Sequence, residues 1–289
     1  MPQQQPETPE PRSVRYRRIV LTTAILAATG TVAINVASPA VSPVDRITTV
    51  VTGPHLARGA QPAATTLVGL GDSVPAASGC DCTSFVAGYG ARLADRTGGP
   101  VIVHNLSVPG QTSADLLAGL ATGQPAAAAV AQAAVVTVTV GANDFRDQAA
   151  AIQDDDCGGD DDLDCTADTL ASMRQTLGAV LDRIKSLHGR RPVAIALTGY
   201  WAVFEDGAIA QQLYSPVVLR RYDELTRRVN AAIVGVARAA HAAYVDLYAA
   251  FKGTDGQADD TRLLAPDGDH PDQDGHDLIA DALLASLSG

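Results

Sequence analysis

Aromatic side chains make up only 4% of this 289-residue chain, with a single tryptophan, so large flat faces for gripping a ligand are few. Tyr200, Trp201 and Phe204 form the one cluster among them that falls near the motifs described below. Basic charge is scarce as well: 21 Lys and Arg stand against 32 Asp and Glu, a net charge of −11. Beyond residue 40 the balance is 17 basic to 30 acidic residues, or −13. A surface this acidic repels nucleic acid and anionic membranes and excludes both as partners. After residue 40 no long apolar segment occurs that could serve as a mobile lid. The four cysteines have no nearby histidine, which makes a poor zinc pattern. The seven aspartates at 154–156, 160–162 and 164 lack the glycine and glutamate positions of a calcium-binding EF-hand, so they read as a solvated acidic loop. No metal site is expected.

The chain opens with Arg12, Arg15, Arg17 and Arg18, an apolar stretch over 19–37 and then Ser38-Pro39-Ala40. A basic segment before an apolar one and a small-residue site reads as a cleaved export signal over 1–40, with an uncleaved membrane anchor as the alternative. The expected location is therefore extracellular, or anchored and facing outside. Residues 41–65, with Pro43, Pro54 and Pro62 and little periodicity, read as a linker, and the folded domain is expected over 66–289. Its size suits one α/β domain with a continuous core, expected to be monomeric. An even number of cysteines in an exported chain favours disulfides among Cys80, Cys82, Cys157 and Cys165. Closure of Cys157 on Cys165 and of Cys80 on Cys82 is the first expectation, with cross-pairing between the two loops left open.

Apolar strand-like runs at Leu67–Leu70, Val101–His104, Val135–Val140, Val193–Thr198 and Tyr244–Leu247 alternate with helical patterns. That alternation predicts parallel strands joined by crossover helices in an α/β/α sandwich. The clearest helical stripes are Leu170, Met173, Leu177, Val180, Leu181, Ile184 and Leu187, with Thr166 as N-cap and Gly189 as stop, and Val218 through Val236. In an open parallel sheet, ligands bind beyond the carboxyl ends of the strands. Three short segments fall there: Gly71-Asp72-Ser73, Asn105 through Gly110, and Gly141-Ala142-Asn143-Asp144. A fourth, Asp267-Gly268-Asp269-His270-Pro271, precedes the last helix.

Together the four segments provide a hydroxyl nucleophile, neutral N–H donors, and an imidazole with a carboxylate three residues before it, the parts an acyl-transferring serine site needs. Pro75 breaks the Gly-x-Ser-x-Gly elbow of another hydrolase fold, and Val74 stands at the third glycine position of a dinucleotide fingerprint, so both of those readings fail. Of the six histidines only His270 has the acid and the following proline; His276 reads as a solvated or capping residue, and Asp72 and Asp144 as structural within their loops. Asp269 and Asp272 compete with Asp267 for the role of orienting acid.

Over roughly 66–289 these segments resemble the SGNH hydrolases, also called the GDSL esterase/lipase family. The resemblance implies a five-stranded parallel sheet of flavodoxin-like order, Ser73 as nucleophile, His270 as base and Asp267 as its acid. It implies an oxyanion hole from the backbone N–H groups of Ser73 and Gly110 and the amide of Asn143. Two departures stand in the loop after the nucleophile, where the usual GDSL reads Gly-Asp-Ser-Val and Pro75 replaces a small hydroxyl residue. The expected activity is that of an exported serine esterase or lipase acting on small-molecule, lipid or carbohydrate esters without a cofactor, with Tyr200, Trp201 and Phe204 as a candidate acyl pocket. An acyltransferase with the same site, and a surface-binding protein that has lost catalysis, are the alternatives.

Overall fold

The computed structural model describes residues 48–51 and 63–287. The segment over 1–40 read as an export signal or anchor lies outside them.

The elements in chain order are β1 (Thr48–Val51), β2 (Thr65–Gly71), α1 (Phe85–Thr97), β3 (Val101–Asn105), α2 (Ser113–Gly119), α3 (Pro125–Val130) and β4 (Val135–Thr139). A 3₁₀ helix over Ala142–Gln148 follows, then α4 (Ala149–Gln153), α5 (Ala167–His188), β5 (Ala194–Thr198), α6 (Gly207–Leu213), α7 (Pro216–Ala239), β6 (Ala243–Val245), α8 (Leu247–Lys252) and α9 (Gln273–Ser286). Strands β2 to β6 pair in parallel, and the sheet order is β1-β3-β2-β4-β5-β6. The five parallel strands thus have the expected flavodoxin-like order, with helices α1 and α9 on one face and α2, α5 and α7 on the other.

The linker expectation over 41–65 needs correction at one point. Thr48–Val51 adds a sixth strand, antiparallel to β3, at the sheet edge. Edge strands pair on one side only and can be short and irregular, so they leave little alternation to read.

The core follows from the apolar runs. All five residues of β4 are buried, as a central strand covered by helices on both faces requires. Met173, Leu177, Val180, Leu181 and Ile184 bury the inner face of α5, and Val218, Tyr222, Leu225, Val229 and Ile233 that of α7. Gly189 ends α5 at φ 60°, a left-handed residue suited to glycine. Thr166 does not cap α5 as expected, because its hydroxyl instead donates to the Leu163 carbonyl at 2.7 Å.

The acidic loop is held rather than simply solvated. Cys157 is joined to Cys165, and Asp162, only 6% exposed, accepts from the N–H groups of Cys157 and Gly158. Arg221 of α7 pairs with Asp155 and Asp162, and Arg228 with Asp161. Among the described residues no group of three His, Cys, Asp or Glu side chains could hold a metal ion, and no helix is long and apolar enough to cross a membrane.

Candidate active site

Three of the four motif segments meet because adjacent strands end side by side. The Asp72 N–H donates to Thr139 O of β4 at 3.0 Å, and the Leu106 and Val108 N–H groups donate to Gly69 O and Gly71 O, each at 2.8 Å. The loop after β3 therefore continues alongside the end of β2. Gly71 sits at φ 138°, where a Cβ would lie 1.8 Å from the Thr139 carbonyl oxygen. Only glycine lets the chain turn there so close to the neighbouring strand.

Ser73 follows in a half-buried turn closed by Ser78 N–H donating to Ser73 O at 3.0 Å. Asp72 beside it is buried; it accepts from the Val74 N–H at 3.0 Å and from the Tyr200 hydroxyl across the sheet. Burial pushes its carboxyl up to about 7 against those two hydrogen bonds. Its bonds thus extend beyond its own loop. The same holds for Asp144, which accepts from the N–H of Ser113 at 2.9 Å and fixes the start of α2.

His270 and Asp267 are in contact. His270 Nδ1 lies 2.8 Å from Asp267 Oδ2, and Asp267 Oδ1 accepts from the N–H groups of His270 and Asp269, each at 3.0 Å. Burial alone would raise the Asp267 carboxyl, but the bonds from the His270 ring and the two backbone N–H groups outweigh it and hold it below the usual range. An ionised Asp267 can only accept, so a neutral His270 ring carries its proton on Nδ1 and keeps the lone pair on Nε2. Asp269, the competing acid, lies 3.7 Å from Nε2, on the ring's other side. Burial raises its carboxyl and the imidazole opposes this, while Glu205 and Asp267 add repulsion. It cannot set the Nδ1 tautomer from there.

Ser73, Asn143, Asp269 and His270 line one cavity of about 320 Å³, together with Arg146, Phe204, Glu205 and Tyr214. No hydrogen bond joins Ser73 Oγ to His270 among the described residues; such bonds commonly tighten only when substrate is bound. Asn143 donates through Nδ2 to Gln111 O at 3.2 Å and accepts at Oδ1 from Arg146 at 2.8 Å. Gly110, at φ 78°, faces the same guanidinium through its carbonyl. The candidate acyl-pocket aromatics Tyr200, Trp201 and Phe204 all line this cavity, but Tyr200 and Trp201 are each 1% exposed, one engaged with Asp72 and the other stacked on Phe251, so Phe204 offers the most accessible face of the three.

Two contributions were not legible in the sequence. Arg146 had no motif to mark it. His276, read as solvated or capping, is fully buried and caps α1, not its own helix: its Nδ1 accepts from the Phe85 N–H at 3.3 Å, an orphan donor at the start of α1. Burial pushes its imidazole down to about 4, so it stays neutral and keeps that acceptor.

The loop after Ser73 also supports His270. Cys80 and Cys82 are joined, the Cys80 sulfur lies 3.4 Å from Pro271 O, and Thr83 N–H donates to Gln273 Oε1 at 2.9 Å. Gly79, at φ 82°, backs directly on the pair: a Cβ there would lie 2.6 Å from Asp267 Oδ2 and 2.8 Å from His270 Cβ. Gly79→Ala is therefore expected to displace His270 and lower kcat on nitrophenyl acetate by about ten- to hundredfold. Kinetics and a melting curve on the purified variant check this; an unchanged kcat would mean the loop does not hold the base.

The profile of the GDSL-like lipase/acylhydrolase family matches residues 70–278. No curated protein matches the sequence. Among solved structures, the chain is similar to the lipase Lip_vut3 from a goat rumen metagenome (19% identity, TM-score 0.60, covering 78% of this chain and 98% of that one). It is also similar to a variant of Axe2, an acetyl-xylooligosaccharide esterase from Geobacillus stearothermophilus (21%, TM-score 0.54, 78% and 94%). A lipase/acylhydrolase from Enterococcus faecalis shares 21% identity at a TM-score of 0.50, over 77% and 95% of the two chains. At these identities the solved structures bear on the fold alone.

Proposed function

Because the chain belongs to the GDSL-like lipase/acylhydrolase family and is a carboxylic ester hydrolase, we propose that it is an exported serine esterase working through an acyl-enzyme on Ser73. The observation that carries this reading is the Asp267–His270 pair, 2.8 Å apart, lining the same cavity as Ser73 and Asn143. In the first step Ser73 Oγ attacks the ester carbonyl while its proton passes to His270 Nε2. The charge developing on the carbonyl oxygen is met by the N–H groups of Ser73 and Gly110 and by the Asn143 amide. Collapse of the tetrahedral species breaks the bond to the alcohol, which leaves with the proton from Nε2. Water then attacks the acyl-enzyme, gives its proton to His270 and releases the acid, restoring Ser73. Asp267 keeps the ring in its tautomer and stabilises the imidazolium at each turn.

Export is supported by the basic and then apolar N-terminal segment and by the pairing of all four cysteines in two disulfides.

Short or medium acyl esters are the proposed substrates. The cavity is modest, Phe204 and Tyr214 are its half-buried aromatic faces, and Glu205 and Asp269 interrupt its apolar wall. A long chain would have to lie against those carboxylates. Across nitrophenyl esters, kcat/KM is expected to be highest among acetate, butyrate and hexanoate, and about tenfold or more lower for palmitate. A steady rise to palmitate, with activation at an oil–water interface, would make the enzyme a lipase instead.

A further inference from the structure

Resting on the serine-esterase reading of the site, we infer that Arg146 is a positioning residue that locks the oxyanion hole, holding the Asn143 amide and the Gly110 segment in one arrangement. Its Nη2 donates to Asn143 Oδ1 at 2.8 Å and to Gly110 O at 3.4 Å. One guanidinium nitrogen thus bridges the two residues that supply oxyanion donors besides Ser73 itself.

The local helix type favours this contact. Asn143 and Arg146 are three apart within the 3₁₀ helix Ala142–Gln148, and at three residues per turn side chains at i and i+3 stand one above the other. In an α-helix the same pair would be offset by about 60° around the axis.

Hydrogen-bond chemistry then fixes which way the amide faces. A guanidinium has donors only, and the Gln111 carbonyl can only accept. Asn143 must therefore turn Oδ1 to Arg146 and Nδ2 to Gln111 O, as observed at 2.8 and 3.2 Å. One Nδ2–H is committed to Gln111, and the other is left for the oxyanion. Without Arg146 only the 3.2 Å bond to Gln111 O would oppose a flip that points the amide's carbonyl oxygen at the developing negative charge, turning a donor into a repulsive group. The guanidinium also polarises the amide and adds positive charge behind it. Gly110 contributes to the fit: a Cβ there would come within 3.3 Å of Arg146 Nη2.

The test is a double-mutant cycle on nitrophenyl acetate with Arg146→Gln, Arg146→Lys, Asn143→Ala and the double variant Asn143→Ala/Arg146→Gln. Arg146→Gln is expected to lower kcat about ten- to hundredfold with KM within about threefold. Its affinity for an alkyl boronic acid, which forms a tetrahedral adduct on a serine nucleophile, should fall by a similar factor. Arg146→Lys, which keeps the charge and one donor, should recover part of the loss. Because Arg146 acts mainly through the amide, with only the longer 3.4 Å contact to Gly110 left when Asn143 is Ala, Arg146→Gln should cost clearly less in that background than in the parent. Additive losses, a loss confined to KM, or a kcat within twofold of the parent in Arg146→Gln would overturn the inference. A failure of the serine-esterase reading shows differently, as boronic acid binding that is indifferent to Ser73→Ala.

Discussion

Ser73→Ala is expected to lower kcat on nitrophenyl acetate by about 10⁴–10⁶-fold while the protein folds as before. The substitution removes a single hydroxyl from a half-buried turn whose closing hydrogen bond, Ser78 N–H to Ser73 O, is made by the backbone and survives. The backbone N–H of residue 73, the Gly110 segment and Asn143 also remain, so whatever rate persists measures the oxyanion hole and binding without a nucleophile. Steady-state kinetics, with a melting curve as control, decide the matter. Activity within tenfold of the parent would mean that another group attacks the ester.

His270→Ala should cost about as much, because a serine hydroxyl without a base is a weak nucleophile at neutral pH. The neighbouring acids separate orientation from simple charge. Asp267→Asn can place an amide N–H against Nδ1, which drives the ring proton to Nε2 and removes the lone pair that must accept from Ser73. A loss in kcat of about 10²–10⁴-fold follows from that wrong tautomer. Asp269→Asn should cost less than about tenfold, since Asp269 sits 3.7 Å from Nε2 and makes no contact with Nδ1. An equal or greater loss from Asp269→Asn would transfer the orienting role to that residue.

The parallel strands were legible because strands covered on both faces are written as apolar runs: Val135–Thr139 is buried at every position. The long helices α5 and α7 were legible for a related reason, since each buries one stripe at helical spacing. The edge strand Thr48–Val51 was not, because pairing on one side imposes no burial pattern a reader can follow. At the site, the residues that would react occupy short motifs at strand ends, and their types alone suggest the chemistry. The residues that hold them do not. Arg146 matters only through its contact with Asn143 three residues before it, which the 3₁₀ geometry aligns and no motif marks. His276 looks like any polar residue near the start of a helix until α1 is seen to present an N–H to its ring. Gly79 is one glycine among 26, and its meaning lies in Asp267 and His270 packed against it from nearly two hundred residues along the chain.

The most direct measurement is the site of reaction with a fluorophosphonate, which phosphonylates only a serine activated by a neighbouring base. Mass mapping of the labelled protein should find one modified serine, Ser73, with labelling lost in Ser73→Ala and strongly slowed in His270→Ala. A label on any other serine, or labelling that persists in Ser73→Ala, would contradict the assignment of the nucleophile and with it the proposed mechanism.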